Sequence, residues 1–358
     1  MKTVTSLKGF AVAFVAACVL VVAPSLYADG GANHQVENDN YGVSGGNIND
    51  ASRAFCCSGT LGSLVQAGGA KYILSNNHVL GRSDQAVSGE DISQPGLIDN
   101  NCRVPRIVAD FTTAVPLGQN VDAAIAALRS GTMNTTGAIE DIGTISGTPK
   151  APTVGLSVAK SGRTTGFTTG TISSINTSVN VQYQKGCGGG KKFVVAYTNQ
   201  VVINSSTFSA GGDSGSLIVS NNSCHQPVAL LFAGSSTTTI GNPIGEVLSK
   251  LSGRLGSTVS FVGGNCTAAP EIASANPQTS EPSSDSVERA IQAMKTRENE
   301  LMSRPGIIGV GVGSSETDPN EASIVVYIDA NSQLSVSVPR RINGVRVRRV
   351  FTEPFVAY

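Results

Sequence analysis

The sequence predicts a mostly β chain that ends in a small α+β module. Three observations carry this. Short apolar runs recur, broken by Gly, Asn and Ser. The 41 glycines with only 14% charged residues favour turns over helical bundles or coiled coils. One stretch late in the chain switches to helical periodicity before the β-like runs resume. With 358 residues and 40% hydrophobic content, the chain can bury a core in two to three structural units. Lys+Arg 25 balances Asp+Glu 25, so no basic excess points to nucleic acid or an acidic membrane.

In chain order, Lys2 and Lys8 precede an unbroken apolar run from Phe10 to Ala23. Pro24 and then Ser25-Leu26-Tyr27-Ala28 follow. This is the pattern of a secretory signal over 1–28, cleaved after Ala28. The run is shorter than the roughly 20 residues of a spanning helix, so no membrane association is expected after cleavage. The protein is therefore expected to be secreted or periplasmic. Six cysteines remain beyond Cys18: Cys56, Cys57, Cys102, Cys187, Cys224 and Cys266. An even count in an exported chain implies disulfides, with adjacent Cys56 and Cys57 in different pairs and the pairing otherwise open.

Residues 29–50 are polar and Asn/Gly-rich, and read as a loose arm. From Ala51 the β-like runs begin: Gly62 to Val65, Tyr72 to Ser75, Val121 to Leu128, Phe193 to Val195, Gln200 to Ile203, Ser216 to Val219 and Val228 to Phe232. Their number and spacing fit a sandwich or a barrel. Residues 267–284, rich in Ala, Pro, Ser, Asn and Glu, read as a linker. Val287, Ile291, Met294 and Leu301 share one helical face over 285–303, and Asp285 and Glu288 have capping-box spacing. Pro305-Gly306 ends the helix, and runs from Ile307 to Val312, Ser323 to Ile328 and Val345 to Phe351 complete a module over 285–358. Arg340, Arg341, Arg346, Arg348 and Arg349 read as guards of an edge strand.

Three stretches carry chemistry: Ser75-Asn76-Asn77-His78-Val79, Val121-Asp122-Ala123-Ala124-Ile125 and Gly211-Gly212-Asp213-Ser214-Gly215-Ser216. A serine hydroxyl is a weak nucleophile at neutral pH. It needs a base to take its proton, and the base needs an acceptor to fix its tautomer. Asp122 sits among apolar neighbours, where a carboxylate requires hydrogen-bond partners. Glycines beside the serine let backbone N–H groups converge on a developing oxyanion. Each piece alone is commonplace; the three together, in His–Asp–Ser order, are far more specific.

With these motifs the sequence resembles the trypsin/chymotrypsin-like serine proteases, closest to secreted bacterial members. The resemblance covers roughly residues 51–262. It implies a double six-stranded antiparallel β-barrel, all-β, with barrels at about 51–150 and 151–262 in a protease domain ending at 266. It implies Ser214 as nucleophile, His78 as general base and then acid, and Asp122 as the residue orienting His78. It implies an oxyanion hole from the N–H groups of Gly212 and Ser214. Asn77 departs from the small residue usual before the histidine, and Ser216 from a glycine common in animal members. The stretch Lys160 to Gly166 resembles the opening of the second barrel in bacterial members. There a basic residue, Lys160 or Arg163, is expected to pair with Asp213, without an N-terminal activation cut.

The family's pocket maps onto Phe208 and Ser209 at the base, and onto Phe232, Ala233 and Gly234 as one wall. A second wall is expected near Thr239, Ile240 and Gly241. No carboxylate stands at these positions, which implies an uncharged, small or apolar substrate residue rather than Arg or Lys; the alternative is an acidic residue bound by Ser and Thr hydroxyls together with His225. Gln94 to Asp99 reads as a surface turn without a catalytic role. The reading is an exported serine endopeptidase acting on protein or peptide substrates, needing no metal or organic cofactor. Alternatives are a catalytically inactive protease-like binding module and a serine esterase on the same fold. The C-terminal module is expected to position substrate, to regulate the site intramolecularly as an inhibitor, or to aid folding.

Overall fold

The computed structural model describes residues 34–266, 281–334 and 336–358. The expected signal over 1–28 lies outside the described residues, as does most of the 267–284 linker. The first half contains β1 (Val43–Asn47), β2 (Gly59–Leu61), β3 (Ser63–Ala67), β4 (Ala70–Ser75), the short helix α1 (Asn77–Leu80), β5 (Asp91–Gln94), β6 (Arg106–Ala114) and β7 (Ala124–Leu128). The second contains β8 (Ser157–Gly162), β9 (Gly166–Thr171), β10 (Ser174–Gln184), β11 (Lys192–Asn204), β12 (Leu217–Ser220), β13 (Pro227–Ser235) and β14 (Thr238–Pro243). Then come α2 (Ile244–Leu255), β15 (Ser260–Phe261), α3 (Ser284–Lys295), α4 (Glu298–Met302), β16 (Ile307–Ser314), β17 (Ala322–Asp329), β18 (Arg341–Ile342), β19 (Val345–Thr352) and β20 (Phe355–Ala357).

Two sheets dominate, as the all-β expectation requires. The first is 8-stranded and antiparallel, in the order β15-β3-β4-β7-β6-β5-β1-β2. Its core packs Leu64, Ile73, Leu74, Val108, Ile125 and their neighbours against Val247 and Leu251 of α2. The second sheet is 12-stranded, not six-stranded. Seven of its strands, β8 to β14, follow the second-barrel expectation; the rest come from the C-terminal module.

Two expectations change here. Residues 29–50 are not all a loose arm: β1 pairs with β2 and β5, and Tyr41 and Val43 are fully buried. Polar Asn and Gly residues there satisfy turns and backbone, while the two apolar residues anchor the strand in the first core. The Gln94 to Asp99 stretch is likewise not merely a surface turn. Gln94 and Leu97 are buried, and the Asp99 carboxylate is almost enclosed.

The C-terminal module has the expected helix and the three expected strands, β16, β17 and β19, and adds the short β18 and β20. The helix is broken in two at Thr296-Arg297, with Ala290, Ala293, Met294 and Leu301 buried. Its N-cap is Ser283, whose side chain accepts from the Ser286 N–H, rather than the Asp285/Glu288 pair. The module is not a separate appendage. β16 pairs antiparallel with β10, and Val325, Tyr327 and Phe355 share a core with Val179, Val181, Tyr197 and Phe232. β19 has only the two-residue β18 on its outer side, the edge position its arginines predict.

Three disulfides join Cys56 to Cys102, Cys57 to Cys187 and Cys224 to Cys266. Cys56 and Cys57 do have different partners. Among the described residues no helix is long and apolar enough to cross a membrane.

Candidate functional site

His78 lies in the single turn of α1, directly after β4. The two asparagines before it anchor that turn. Asn76 Nδ2 donates to the Asp122 carbonyl at 2.7 Å, and Asn77 Nδ2 to the Val115 carbonyl at 2.8 Å and to Asp84 at 2.6 Å. Asn77 thus has a structural use for its amide, which a smaller residue would lack. Asp122, fully buried just before β7, faces His78 squarely. Its Oδ1 accepts from the His78 backbone N–H at 3.1 Å, and its Oδ2 lies 2.6 Å from His78 Nδ1. The Tyr183 hydroxyl of β10 donates to the same Oδ2 at 2.9 Å, and Tyr197 of β11 lies 2.6 Å from the Tyr183 hydroxyl. Three donors therefore compensate the desolvated carboxylate. Sequence reasoning missed both tyrosines, because only the β10–β11 pairing brings them to residue 122.

The serine turn is fixed from below. Asp213, fully buried, accepts from the N–H groups of Thr164 (2.8 Å), Thr165 (3.1 Å) and Ala210 (2.9 Å), and from the Thr165 hydroxyl (2.7 Å). Lys160 Nζ, also fully buried, stands 3.5 Å from Asp213 Oδ2. Burial pulls the Lys160 ammonium below its ordinary value, against the opposing pull of Asp213. Of the two basic residues expected there, Lys160 makes the pair. Arg163 instead binds Asp99 at 2.6 and 2.7 Å.

Above Asp213, the Thr164 hydroxyl holds the Gly211 carbonyl at 2.7 Å and the Thr60 hydroxyl holds the Gly212 carbonyl at 2.9 Å. Gly212 has φ +97, and a Cβ there would lie 2.5 Å from Arg163 and Thr164 atoms, so only glycine fits. Among the described residues, the N–H groups of Gly212 and Ser214 donate to no protein acceptor. Thr60 N–H binds the Ser214 carbonyl at 2.8 Å, and a Cβ on Gly59 would touch both that carbonyl and Val79. The serine turn therefore abuts the histidine turn. Ser214 Oγ itself points to the Phe232 carbonyl at 3.3 Å.

His78 Nε2 has a different partner: the main-chain carbonyl of Tyr358, at 2.9 Å. With the Asp122 carboxylate at Nδ1 and a carbonyl at Nε2, both ring nitrogens face acceptors, which favours the imidazolium. Burial would lower its pKa, but the Asp122 carboxylate outweighs it, helped by the Tyr358 carbonyl and Asp50, and the net direction is up. Asp50 lines the same cleft, a space of about 850 Å³ bordered also by the Cys57–Cys187 disulfide, Arg82 and Tyr183. Burial pushes Asp50 up to about 6, against the lowering pull of His78 and Arg82.

Tyr358 arrives on β20, which the sequence did not reveal. Three residues are too few for a periodic signal. β20 pairs antiparallel with β13, Ala357 opposite Ala233 and Val356 opposite Gly234. It also pairs parallel with β10 through Phe355 and Val356. The Tyr358 hydroxyl donates to the Ser235 carbonyl at 2.7 Å. Of the expected pocket residues, Ala233 and Gly234 meet this segment directly and Ser209 lies beside the Tyr358 hydroxyl. Ser209 also lies 2.5 Å from Thr239. Phe208 is fully buried in the cluster against which Tyr358 packs, and Phe232 offers its carbonyl to Ser214. Gly241 is not at Tyr358; it faces Ala229 and Ile218 in the interior of the sheet.

The model of Peptidase family S64 matches residues 73–234, a span holding His78, Asp122 and Ser214. No curated protein matches the sequence. Among solved structures, the chain is similar to a glutamic acid specific serine protease, at 22% identity and TM-score 0.43, covering 61% of this chain and 98% of that one. It is also similar to Thermobifida fusca Protease A, at 20% identity and TM-score 0.42, covering 63% and 100%. Nocardiopsis protease is similar at 18% identity and TM-score 0.41, covering 62% and 98%.

Proposed function

We propose that this protein is an exported serine endopeptidase. The observation that carries the reading is the His78 imidazole clamped between the buried Asp122 carboxylate and a main-chain carbonyl, beside the Ser214 turn. In the reaction, His78 takes the Ser214 proton at Nε2 as Oγ attacks the carbonyl carbon of the scissile peptide. The Gly212 and Ser214 N–H groups, which have no protein acceptor among the described residues, receive the oxyanion. His78 passes the proton to the leaving amine, and an acyl-enzyme forms on Ser214. Water then attacks, with His78 as base again, and releases the acid. Asp122 keeps the Nδ1–H tautomer in place and balances the imidazolium. The peptidase unit runs through residue 266 and begins before 51, since β1 belongs to its first sheet. Three disulfides and the N-terminal apolar pattern support secretion or a periplasmic location.

The reading includes intramolecular regulation by the C-terminal module. In the arrangement described, Tyr358 occupies the cleft, His78 is committed to its carbonyl, and Ser214 Oγ is turned to Phe232. This is a latent state. The same serine orientation is what a binding module without catalysis would show, so the test must address Ser214 chemically. Casein digestion is compared between the full chain carrying Tyr358→Gly, which weakens the C-terminal segment, and the same chain with Ser214→Ala added, alongside labelling by a fluorophosphonate. Serine-dependent cleavage with labelling at Ser214 is expected. Labelling that is absent even after the C-terminal segment is weakened would reject the peptidase.

A further inference from the structure

Residues 355–358 lie in the cleft in an extended conformation, and they do so in a particular way. Val356 and Ala357 add to β13 as an antiparallel strand. The strand ends with a carbonyl on His78 Nε2 and a side chain turned into the barrel. The segment thus lays the Tyr358 side chain beside the Ser214 turn, with its carbonyl on the histidine rather than on the Gly212 and Ser214 N–H groups. The pocket receiving the side chain is shaped for a phenol. Its ring packs beside the cluster of Phe208, Ile218 and Leu231. Its hydroxyl reaches past the apolar wall to donate to the Ser235 carbonyl at 2.7 Å. Gly234 leaves the room: a Cβ there would lie 2.3 Å from the hydroxyl oxygen and 2.7 Å from Cζ. No charged side chain hydrogen-bonds the phenol; the Asp213 and Glu353 carboxylates act on it only through their charge. His225, the histidine that an acidic substrate residue would use, bonds Asn222 and Ser146 through its backbone.

We infer that the substrates of this site are polypeptides presenting tyrosine on the acyl side of the cleaved bond, after small or apolar residues of the Phe-Val-Ala kind. Gly234 and Ser235 are the residues that set this preference. The inference deepens the peptidase reading and rests on it for turnover, though not for binding. An alanine leaves the pocket unfilled. A glutamate brings its charge to an apolar wall within reach of the Asp213 and Glu353 carboxylates, and a lysine leaves water for a site where Asp213 is already paired with Lys160. Phenylalanine fills the space but leaves the Ser235 carbonyl without its donor.

The experiment uses the full chain carrying Tyr358→Gly, which vacates the pocket. Fluorogenic amides of acetyl-Phe-Val-Ala-X, with X as Tyr, Phe, Ala, Glu or Lys, are compared by kcat/KM. Tyr is expected to exceed Phe by roughly fivefold and Ala, Glu and Lys by roughly a hundredfold. Adding Gly234→Val should remove the advantage of Tyr over Ala. Equal turnover of Ala, Glu or Lys, with Ser214 labelled by the fluorophosphonate, overturns the assignment and leaves the peptidase standing. Binding separates the two claims. In the full chain with both Ser214→Ala and Tyr358→Gly, the free acid acetyl-Phe-Val-Ala-Tyr should bind at least tenfold tighter than its Ala counterpart. Equal binding overturns the assignment whether or not the protein cleaves anything.

Discussion

Tyr358→Gly should open the cleft. The side chain packs against the second-barrel cluster, half-buried, and its hydroxyl bonds the Ser235 carbonyl. Half-burying a ring of this size is worth about 1.5–2 kcal/mol and the bond about 1 kcal/mol. Together this is about 3 kcal/mol, or roughly a hundredfold in the ratio of free to occupied site. The main-chain pairing of Val356 and Ala357 with β13 and the burial of Phe355 survive the substitution, so the segment is loosened rather than lost. The assay is the rate at which a small fluorophosphonate labels Ser214 in the full chain and the variant at equal concentration. The variant should label up to roughly a hundredfold faster, and Tyr358→Phe should lie between them. A rate within twofold of the full chain, with thermal unfolding unchanged, would refute the occupancy argument. It would mean that the segment leaves the site freely without help.

Two further outcomes follow from the charges. Lys160→Met strands the Asp213 carboxylate in the interior with its neutral donors only. It should cost about 3 kcal/mol in urea unfolding and reduce serine labelling as the turn loses its anchor. The pH dependence should separate the latent and open forms. The raised pKa of His78 in the occupied site means that its stabilising contact with Tyr358 is complete below the ordinary histidine value of about 6.5 and is lost as pH rises through the raised value. Asp122 and Asp50 favour the imidazolium in both forms, but the carbonyl does so only when the segment is bound. The full chain should therefore gain activity at higher pH than Tyr358→Gly. Coincident pH–rate profiles would contradict this.

Much of this protein was written locally. The turns around His78 and Ser214 follow from short runs of Asn and Gly whose backbone needs are visible residue by residue. The helical stretch over 285–303 is plain from its apolar face, though not its break at Thr296-Arg297, and the lysine beneath Asp213 was one of two named candidates. What the sequence could not express is adjacency between distant strands. Tyr183 reaches Asp122 only because β10 pairs with β11 beside the first sheet, and nothing near either residue encodes that distance. β1 hid in a polar stretch because its burial comes from partners, β2 and β5, rather than from its own composition. The C-terminal module looked self-contained because its helix and strands are locally complete. Its fusion to the second barrel depends on the edge of β10 being open to β16, and β20 is too short to show a period. Local chemistry thus set which groups could react. Tertiary pairing decided which carbonyl faces the histidine, because a strand edge accepts any backbone of the right length and only the assembled sheet selects which one arrives.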